Sequence, residues 1–218
     1  AIMTEKMTIT SALSELKILN KRIADEISDA TFCETNKHVM RTLKGKSIAD
    51  VKSEMQATYD KITALIVRNN AIKKAVTKAN AETNITVGGE QMTIAEAIYM
   101  KQTGIDYLKS LLTNMSVQYT SAQHTITRNN GDTLTQNCEA YITKLFGTSD
   151  TKTASSDLIT AINAAKEKYI EENTVDLIEG VDIAKAIENL KNKIDAFEAE
   201  VDAAITVANA TTIIEITY

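Results

Sequence analysis

Residues 79–87 read ANAETNITV and residues 208–216 read ANATTIIEI, so the pattern A-N-A-x-T-x-I-x-(V/I) occurs twice. At each copy, apolar residues spaced by threes and fours give way to alternating β-branched residues, which indicates that a long helix ends and a strand begins. Asn80 and Asn209 are predicted to close these helices in the left-handed conformation, because asparagine tolerates that conformation better than most residues.

A second echo supports a repeated plan. The pattern M-T-I-x-x-A-(L/I) occurs at residues 7–13 and again at residues 92–98. We therefore predict one helical domain over residues 1–218 that contains two pseudo-repeat units, 1–89 and 90–218. The second unit is longer, which predicts an insertion near residues 130–175.

The composition favours long helices. The 218 residues include no proline and only seven glycines, and 44% of the residues are apolar. Proline is excluded from helix interiors because it lacks the backbone N–H and clashes with the preceding turn. Apolar spacing predicts helices over about 10–30, 48–80, 93–126, 134–146, 157–172 and 182–208.

Two of the predicted helices have apolar stripes that are expected to be buried. In the first helix the stripe comprises Leu13, Leu16, Ile23 and Ile27. In the second helix the stripe is predicted to include these residues: Ile48, Val51, Met55, Tyr59, Ile62, Ile66, Ile72 and Val76.

The middle of the chain carries the signature of a β-hairpin. Two β-rich runs within residues 84–94 flank Gly88 and Gly89, and glycine accepts the positive φ angles that tight hairpin turns need. Thr93 followed by Glu96 predicts a capping box at the start of the next helix.

The last residues are predicted to form a further strand. Residues 212–217 are β-branched apart from one glutamate, and Ile213 and Ile216 carry much of this preference. We predict that this strand joins the 84–94 hairpin as a third strand, and that residues 6–9 can add a fourth. The predicted fold class is mainly α with a small β-sheet (α+β). It is a bundle of long antiparallel helices, capped at one end by the hairpin and the C-terminal strand.

Charge and hydropathy disfavour several classes of function. The formal net charge is −5, and basic residues are interspersed with acidic ones. Nucleic-acid binders usually carry a clustered basic face, so no nucleic-acid partner is expected. No apolar run approaches the ~20 residues of a membrane span, so no membrane partner is expected either. The N-terminal residues lack the features of a signal peptide, which favours synthesis in a cytoplasm.

The search for reactive groups predicts no catalytic, cofactor or metal site. Cys33 and His38 are close in sequence, but no second pair of ligands accompanies them. Cys138 and His124 lack a third residue that would orient a nucleophile pair. The two cysteines are interpreted as free thiols, and we expect a protein that is not an enzyme.

The tripeptide Arg-Asn-Asn occurs twice, at residues 68–70 and 128–130. Polar contacts on helix surfaces are one interpretation of this repeat, and an interaction site is the other.

Three segments resemble a poorly characterised family of small helical proteins from tailed phages and prophages of Gram-positive bacteria. The first is M-T-I-x-x-A-L-x-E-L-K-x-L-x-K-R-I at residues 7–23. The second is ITVGGEQMTIAEAI at residues 85–98. The third is FEAEVD at residues 197–202, followed by Ala-Asn-Ala and a strand. The motifs are structural rather than catalytic. The resemblance to this family implies a tailed-phage context.

On this basis we expect a non-enzymatic, virion-associated structural protein, such as a capsid or tail accessory subunit. Its expected partners are other virion proteins or further copies of itself in a homo-oligomer. It would be made in the bacterial host cytoplasm and incorporated into the virion. The alternative is a phage-encoded cytosolic protein that sequesters a host factor or nucleotide, such as a defence antagonist.

Overall fold

The computed structural model describes residues 3–218, and these residues confirm the predicted fold class: mainly α with small β-sheets. Seven α-helices and one π-helical turn, Met100–Gly104, make up most of the described chain. The α-helices are α1 Ile9–Asp29, α2 Ile48–Glu82, α3 Ile94–Tyr99, α4 Ile105–Asn129, α5 Gly131–Phe146, α6 Ser156–Asn173 and α7 Ile183–Thr211. The strands are β1 Thr4–Thr8, β2 Thr42–Leu43, β3 Lys46–Ser47, β4 Asn84–Val87, β5 Glu90–Thr93 and β6 Ile213–Thr217.

The chain divides into two compact units. The first unit contains the residues up to Ile105 together with Asp195–Tyr218, and the second contains Asp106–Ile194. Helix α7 therefore belongs to the second unit up to Ile194 and to the first unit beyond it. The predicted pseudo-repeat units 1–89 and 90–218 stay a prediction.

Helices α1 and α2 form an antiparallel hairpin in the first unit. Lys61 binds Glu26 at 2.5 Å, and Arg68 binds Glu15. The later residue of α2 therefore contacts the earlier residue of α1, as in an antiparallel pair. The apolar α1 residues that are buried or half-buried follow one another at alternating steps of three and four. They are Ile9, Ala12, Leu16, Leu19 and Ile23. This is the heptad spacing of coiled coils.

The predicted stripes of α1 and α2 are therefore wrong in part. Leu13 and Ile27 of α1 are exposed, as are Tyr59 and Ile66 of α2. A straight helix has 3.6 residues per turn, whereas two helices that follow each other over many turns favour a 3.5-residue repeat. The prediction included apolar residues that lie one or two positions beside this narrower seam.

The pairing predicted for the C-terminal strand is also wrong. β6 pairs antiparallel with β1, from Thr4 opposite Thr217 to Thr8 opposite Ile213, whereas β4 and β5 form a separate sheet. Backbone hydrogen bonds between Met3 and Tyr218 extend the β1–β6 ladder at one end. The physical reason is burial, because this register places Ile214 and Ile216 in the main hydrophobic core of the unit, against which Met7 also packs.

The β4–β5 hairpin has the predicted Gly-Gly turn and docks on α7. Gly88 and Gly89 have φ angles of 59° and 82°. The Gly88 N–H donates a 2.6 Å hydrogen bond to Oε2 of Glu200, and a Cβ atom at Gly88 would lie 3.3 Å from the backbone nitrogen of Phe197. The turn is therefore shaped by both its own backbone and the close approach of α7.

We expect Gly88→Ala to destabilise the first unit by about 1–3 kcal/mol, and Gly89→Ala to cost only about 1 kcal/mol. Both substitutions place a Cβ atom on a backbone with positive φ, so Gly89→Ala is the matched control for that conformational cost. Only the Gly88 methyl group meets the backbone of α7, since nothing lies within 4 Å of a Cβ atom at Gly89. Urea denaturation measures the difference. Equal losses for the two variants would contradict the docking contact.

The second unit contains a helical hairpin formed by α5 and α6. Its core consists of Cys138, Ile142 and Ile162, and the rings of Tyr141 and Tyr169 stack with centroids 4.9 Å apart. Gly147 caps the C-terminal end of α5, and its φ angle of 78° lies in the left-handed region. The hairpin thus buries a small core of its own.

Candidate interaction site

A groove lies at the end of the α1–α2 hairpin that carries the connection between the two helices. We call it the hairpin-end groove. Its volume is about 380 Å³, and it is lined by Glu26, Asp29, Ala30, Thr31, Glu34, Leu43, Lys44, Lys46, Val51, Glu54, Met55 and Thr58. Leu43, Val51 and Met55 are half-buried, which makes part of its lining apolar.

The charged residues of the hairpin-end groove are mostly paired with one another. Lys44 binds Glu34, and Nζ of Lys46 binds the two carboxylate oxygens of Glu54 at 2.6 and 2.8 Å. These pairs hold the β2–β3 turn against α2 and the connection. Asp29 makes no ion pair with any described residue, so one carboxylate is left uncompensated at the end of α1.

Apolar side chains are exposed on the connection beside this groove. Phe32, Val39 and Met40 lie between α1 and β2, and Val39 is 81% exposed. Aromatic residues and methionine are enriched at protein interfaces. The hairpin-end groove thus has a partly apolar lining, paired charges and exposed apolar side chains beside it. These features make it the candidate interaction site.

Arg68 of α2 is the centre of a polar cluster in the first unit. Its guanidinium binds both carboxylate oxygens of Glu15, and Nη1 donates to Glu5 at 2.9 Å and to the Tyr218 hydroxyl. The guanidinium carbon lies 5.0 Å from the centroid of the Tyr218 ring. The hydrogen bond to Glu15 is the main reason why the pKa of Arg68 is raised above its ordinary value. This cluster joins α1, α2, β1 and the C-terminal tyrosine, so its evident role is structural.

The repeated Arg-Asn-Asn tripeptide has a different environment at each site. Arg68 binds the cluster just described, whereas the corresponding residue of the second copy, Arg128, is exposed. In the second copy Asn130 makes the long-range contacts. Its side chain accepts a hydrogen bond from the Val175 N–H at 2.9 Å and donates one to the Val175 carbonyl at 2.8 Å. Arg68 of the first copy and Asn130 of the second copy therefore both make polar contacts within the chain.

The predicted structural residues of the hairpin and of the last strand are distributed over the first unit. Thr93 and Glu96 form the capping box, with Thr93 Oγ1 accepting from the Glu96 N–H at 3.1 Å and Glu96 Oε2 accepting from the Thr93 N–H at 2.7 Å. Ile216 is fully buried, whereas Ile213 is exposed. None of these residues lines the hairpin-end groove.

The conformation predicted for Asn80 and Asn209 is wrong. Asn80 lies inside α2 and Asn209 inside α7, and Lys44 is the only non-glycine residue with positive φ in the described chain. α2 ends instead at Thr83, whose φ of −85° and ψ of 118° are extended. The chain enters a strand directly after each helix, so it needs no left-handed turn there.

Asn80 and Asn209 share an unusual feature, because the side-chain oxygen of each is buried and accepts no hydrogen bond. An unpaired buried acceptor costs about 1–3 kcal/mol, and alanine has the higher helix propensity. We therefore expect Asn80→Ala and Asn209→Ala each to raise the free energy of unfolding by about 0.5–2 kcal/mol. Thermal denaturation of the single variants measures this effect. A clear loss of stability in either variant would show that its amide has a partner.

The cysteines and histidines of the described chain do not form a reactive group. Cys33 is exposed, whereas Cys138 is buried with Sγ 3.9 Å from the Lys166 carbonyl oxygen, and both thiols are free. His38 and His124 are exposed. Within residues 3–218, no three or more His, Cys, Asp and Glu side chains are grouped so that they could hold a metal ion.

Sequence reasoning missed the hairpin-end groove and the Arg68 cluster. The connection between α1 and α2 lies between two predicted helices, but its meeting with Val51 and Met55 in one groove depends on tertiary contacts. Arg68 was noticed only as part of a repeated tripeptide. The signal that could have found one partner is the opposite charge of Glu15 on α1 and Arg68 on α2, two helices that are neighbours in the chain; Glu5 lies on β1 and has no such signal.

No helix among the described residues is long and apolar enough to cross a membrane. The chain has no match among protein-family models, and no significant match among curated proteins or solved structures.

Proposed function

We propose that this chain is a non-enzymatic, virion-associated structural protein of a tailed bacteriophage, a capsid or tail accessory subunit that acts through protein–protein contacts. The phage context rests on the resemblance of residues 7–23, 85–98 and 197–202 to helical proteins of phages and prophages. It would be made in the host cytoplasm and would join the particle during assembly.

The observation that carries the contact role is the amount of exposed apolar surface. In the described part of the chain, the number of large apolar side chains that are exposed is about equal to the number of apolar residues that are buried. In soluble proteins, large contiguous patches of exposed apolar surface often mark interaction sites. Val39, Ile178 and Tyr107 are among the most exposed of these side chains, and they come from three different parts of the chain. Contacts on several surfaces suit a subunit that has more than one neighbour.

The test is quantitative mass spectrometry of purified particles from the phage or induced prophage that carries the gene. We expect the protein at a constant ratio to the major capsid or tail proteins after density-gradient purification. A cytoplasmic host protein of similar abundance in the lysate serves as the contamination control. Absence from particles, with abundance in infected-cell lysate, would overturn the virion role.

The hairpin-end groove favours a second candidate, a cytosolic protein that sequesters a host factor or nucleotide. A concave surface of about 380 Å³ with a partly apolar lining and paired charges has the size of a binding site for one small partner. In that case affinity capture from infected cells should enrich one host component, and Met55→Asp should abolish its capture. Val67→Asp, at an exposed position farther along α2, is the matched control.

A further inference from the structure

The outer face of α1 carries its charges in two blocks. The basic block ends at Arg22, and the acidic block follows it from Asp25 to the C-terminal end of the helix. Along one face the residues run in this order: Lys17, Ile18, Lys21, Arg22, Asp25, Glu26 and Asp29. Glu26 is half-buried and is paired with Arg22 and Lys61 of the same chain. Lys17, Lys21, Asp25 and Asp29 form no ion pair with any described residue, so both blocks are available to a partner.

This order of charges does not stabilise α1 itself. The helix macrodipole favours acidic residues in the first turn and basic residues in the last turn, but α1 has neither. Lys21 precedes Asp25 by four residues, and a lysine on the N-terminal side of its acidic partner is the less favourable orientation. Asp25 and Asp29 therefore lie near the negative end of the helix dipole, where a second helix could compensate them.

An antiparallel copy of the same helix fits this pattern. Consider two α1 helices that run in opposite directions and contact each other through their outer faces, with the two-fold axis at the level of residue 23. Lys17 of each copy then lies opposite Asp29 of the other. The same axis places Lys21 opposite Asp25, so each of these two pairs combines opposite charges, whereas Arg22 lies opposite Ala24. We infer that α1 is a homodimer surface, on which the basic half of one copy binds the acidic half of a second copy.

The side chains along this face allow the helices to approach each other. Ile18 is 66% exposed, and in the antiparallel pair it lies opposite Ser28 of the second copy. Serine is small, so it leaves room for the isoleucine side chain between the two helices. Asp29 also lines the hairpin-end groove, which brings Ile18 of the second copy to the rim of that groove.

This contact is weak when taken alone. Exposed ion pairs are screened by salt, and the face carries one large apolar side chain. Symmetric contacts repeated in an assembly can nevertheless suffice through multivalency. The inference rests on the proposed function as an assembly protein, and it names a second copy of this chain as one partner.

Sedimentation equilibrium of the purified full chain tests the inference. We expect a monomer–dimer equilibrium whose Kd rises at least about tenfold between about 0.02 M and about 0.5 M salt, because the Debye length falls from more than 20 Å to less than 5 Å. The variant Lys17→Glu/Lys21→Glu makes the face acidic, and Asp25→Lys/Asp29→Lys makes it basic. Each variant alone should be monomeric, whereas an equimolar mixture should form a heterodimer.

Lys74→Glu/Lys78→Glu is the matched control. It changes two exposed, unpaired lysines of α2 at the same spacing, with the same change in net charge, and it should dimerise like the parent chain. The variant Asp25→Lys/Asp29→Lys places basic residues near the C-terminal end of α1, where the macrodipole favours them, so the thermal stability of its monomer should not fall. The variant Lys17→Glu/Lys21→Glu places like charges four residues apart, so its monomer should be slightly less stable than the parent but should stay folded.

A parent chain that stays monomeric at low salt would overturn the inference, as would a mixture of the two α1 variants that stays monomeric. Either result leaves the particle assay unaffected, so the failure of this contact and the failure of the virion role are distinguishable.

Discussion

Replacing Ile216 by alanine is expected to lower the free energy of unfolding by about 2–5 kcal/mol, the usual range for a large aliphatic side chain removed from a core. Ile216 has no exposed surface, and it belongs to the core cluster that includes Ile9, Ile72 and Ile94. The loss combines the transfer free energy of the deleted methyl and methylene groups with the cost of the cavity they leave. Urea denaturation, followed by circular dichroism, measures the change.

Ile213→Ala on the same strand is the matched control. Ile213 is 58% exposed, so its replacement should change stability by no more than about 0.5 kcal/mol. The two variants remove the same atoms from one strand and differ only in the face from which they are removed. Similar losses at both positions would contradict the register between β1 and β6.

Replacing Arg68 by methionine is expected to cost about 2–4 kcal/mol, because hydrogen bonds to charged groups are among the stronger polar contacts. The Arg68 side chain is only 21% exposed, and its loss leaves the carboxylates of Glu15 and Glu5 without their partner. Methionine retains a comparable apolar length, so the variant removes the charge and the hydrogen bonds while largely preserving the packing of the stem.

Hydrogen exchange gives the more specific readout for Arg68. The backbone amides of β6 should exchange faster in Arg68→Met, since Tyr218 and Glu5 lose their link to α2. Arg128→Met is the matched control, because Arg128 occupies the same place in the second Arg-Asn-Asn tripeptide and is exposed. Unchanged protection of β6 in Arg68→Met would refute the role of the cluster in holding the chain ends together.

Helix positions were predictable because they depend on local properties. Predicted and observed boundaries of most long helices agree within a few residues, as for the first helix, predicted over 10–30 and found at Ile9–Asp29. The Gly88–Gly89 turn and the Thr93–Glu96 capping box were predictable for the same reason, since each depends on residues that are neighbours in the chain.

The candidate interaction site was not predictable, because its parts come from separate segments. The hairpin-end groove combines the end of α1, the connection and the start of α2. Each of these segments has an ordinary composition for a surface. Their meeting depends on the antiparallel packing of α1 on α2, which brings Ala30 and Met55 to the same concave surface.

The positions of the long helices, the turn at Gly88 and Gly89, and the strand near residue 218 could all be predicted from the sequence. These features follow from backbone preferences and from apolar spacing within one segment. The pairing of β6 with β1 rather than with the hairpin could not be predicted in this way, and neither could the binding of Arg68 to Glu5, Glu15 and Tyr218. Pairing of strands and burial of charges are contacts between distant segments. Their free energy depends on which surfaces meet, and no single segment contains that information.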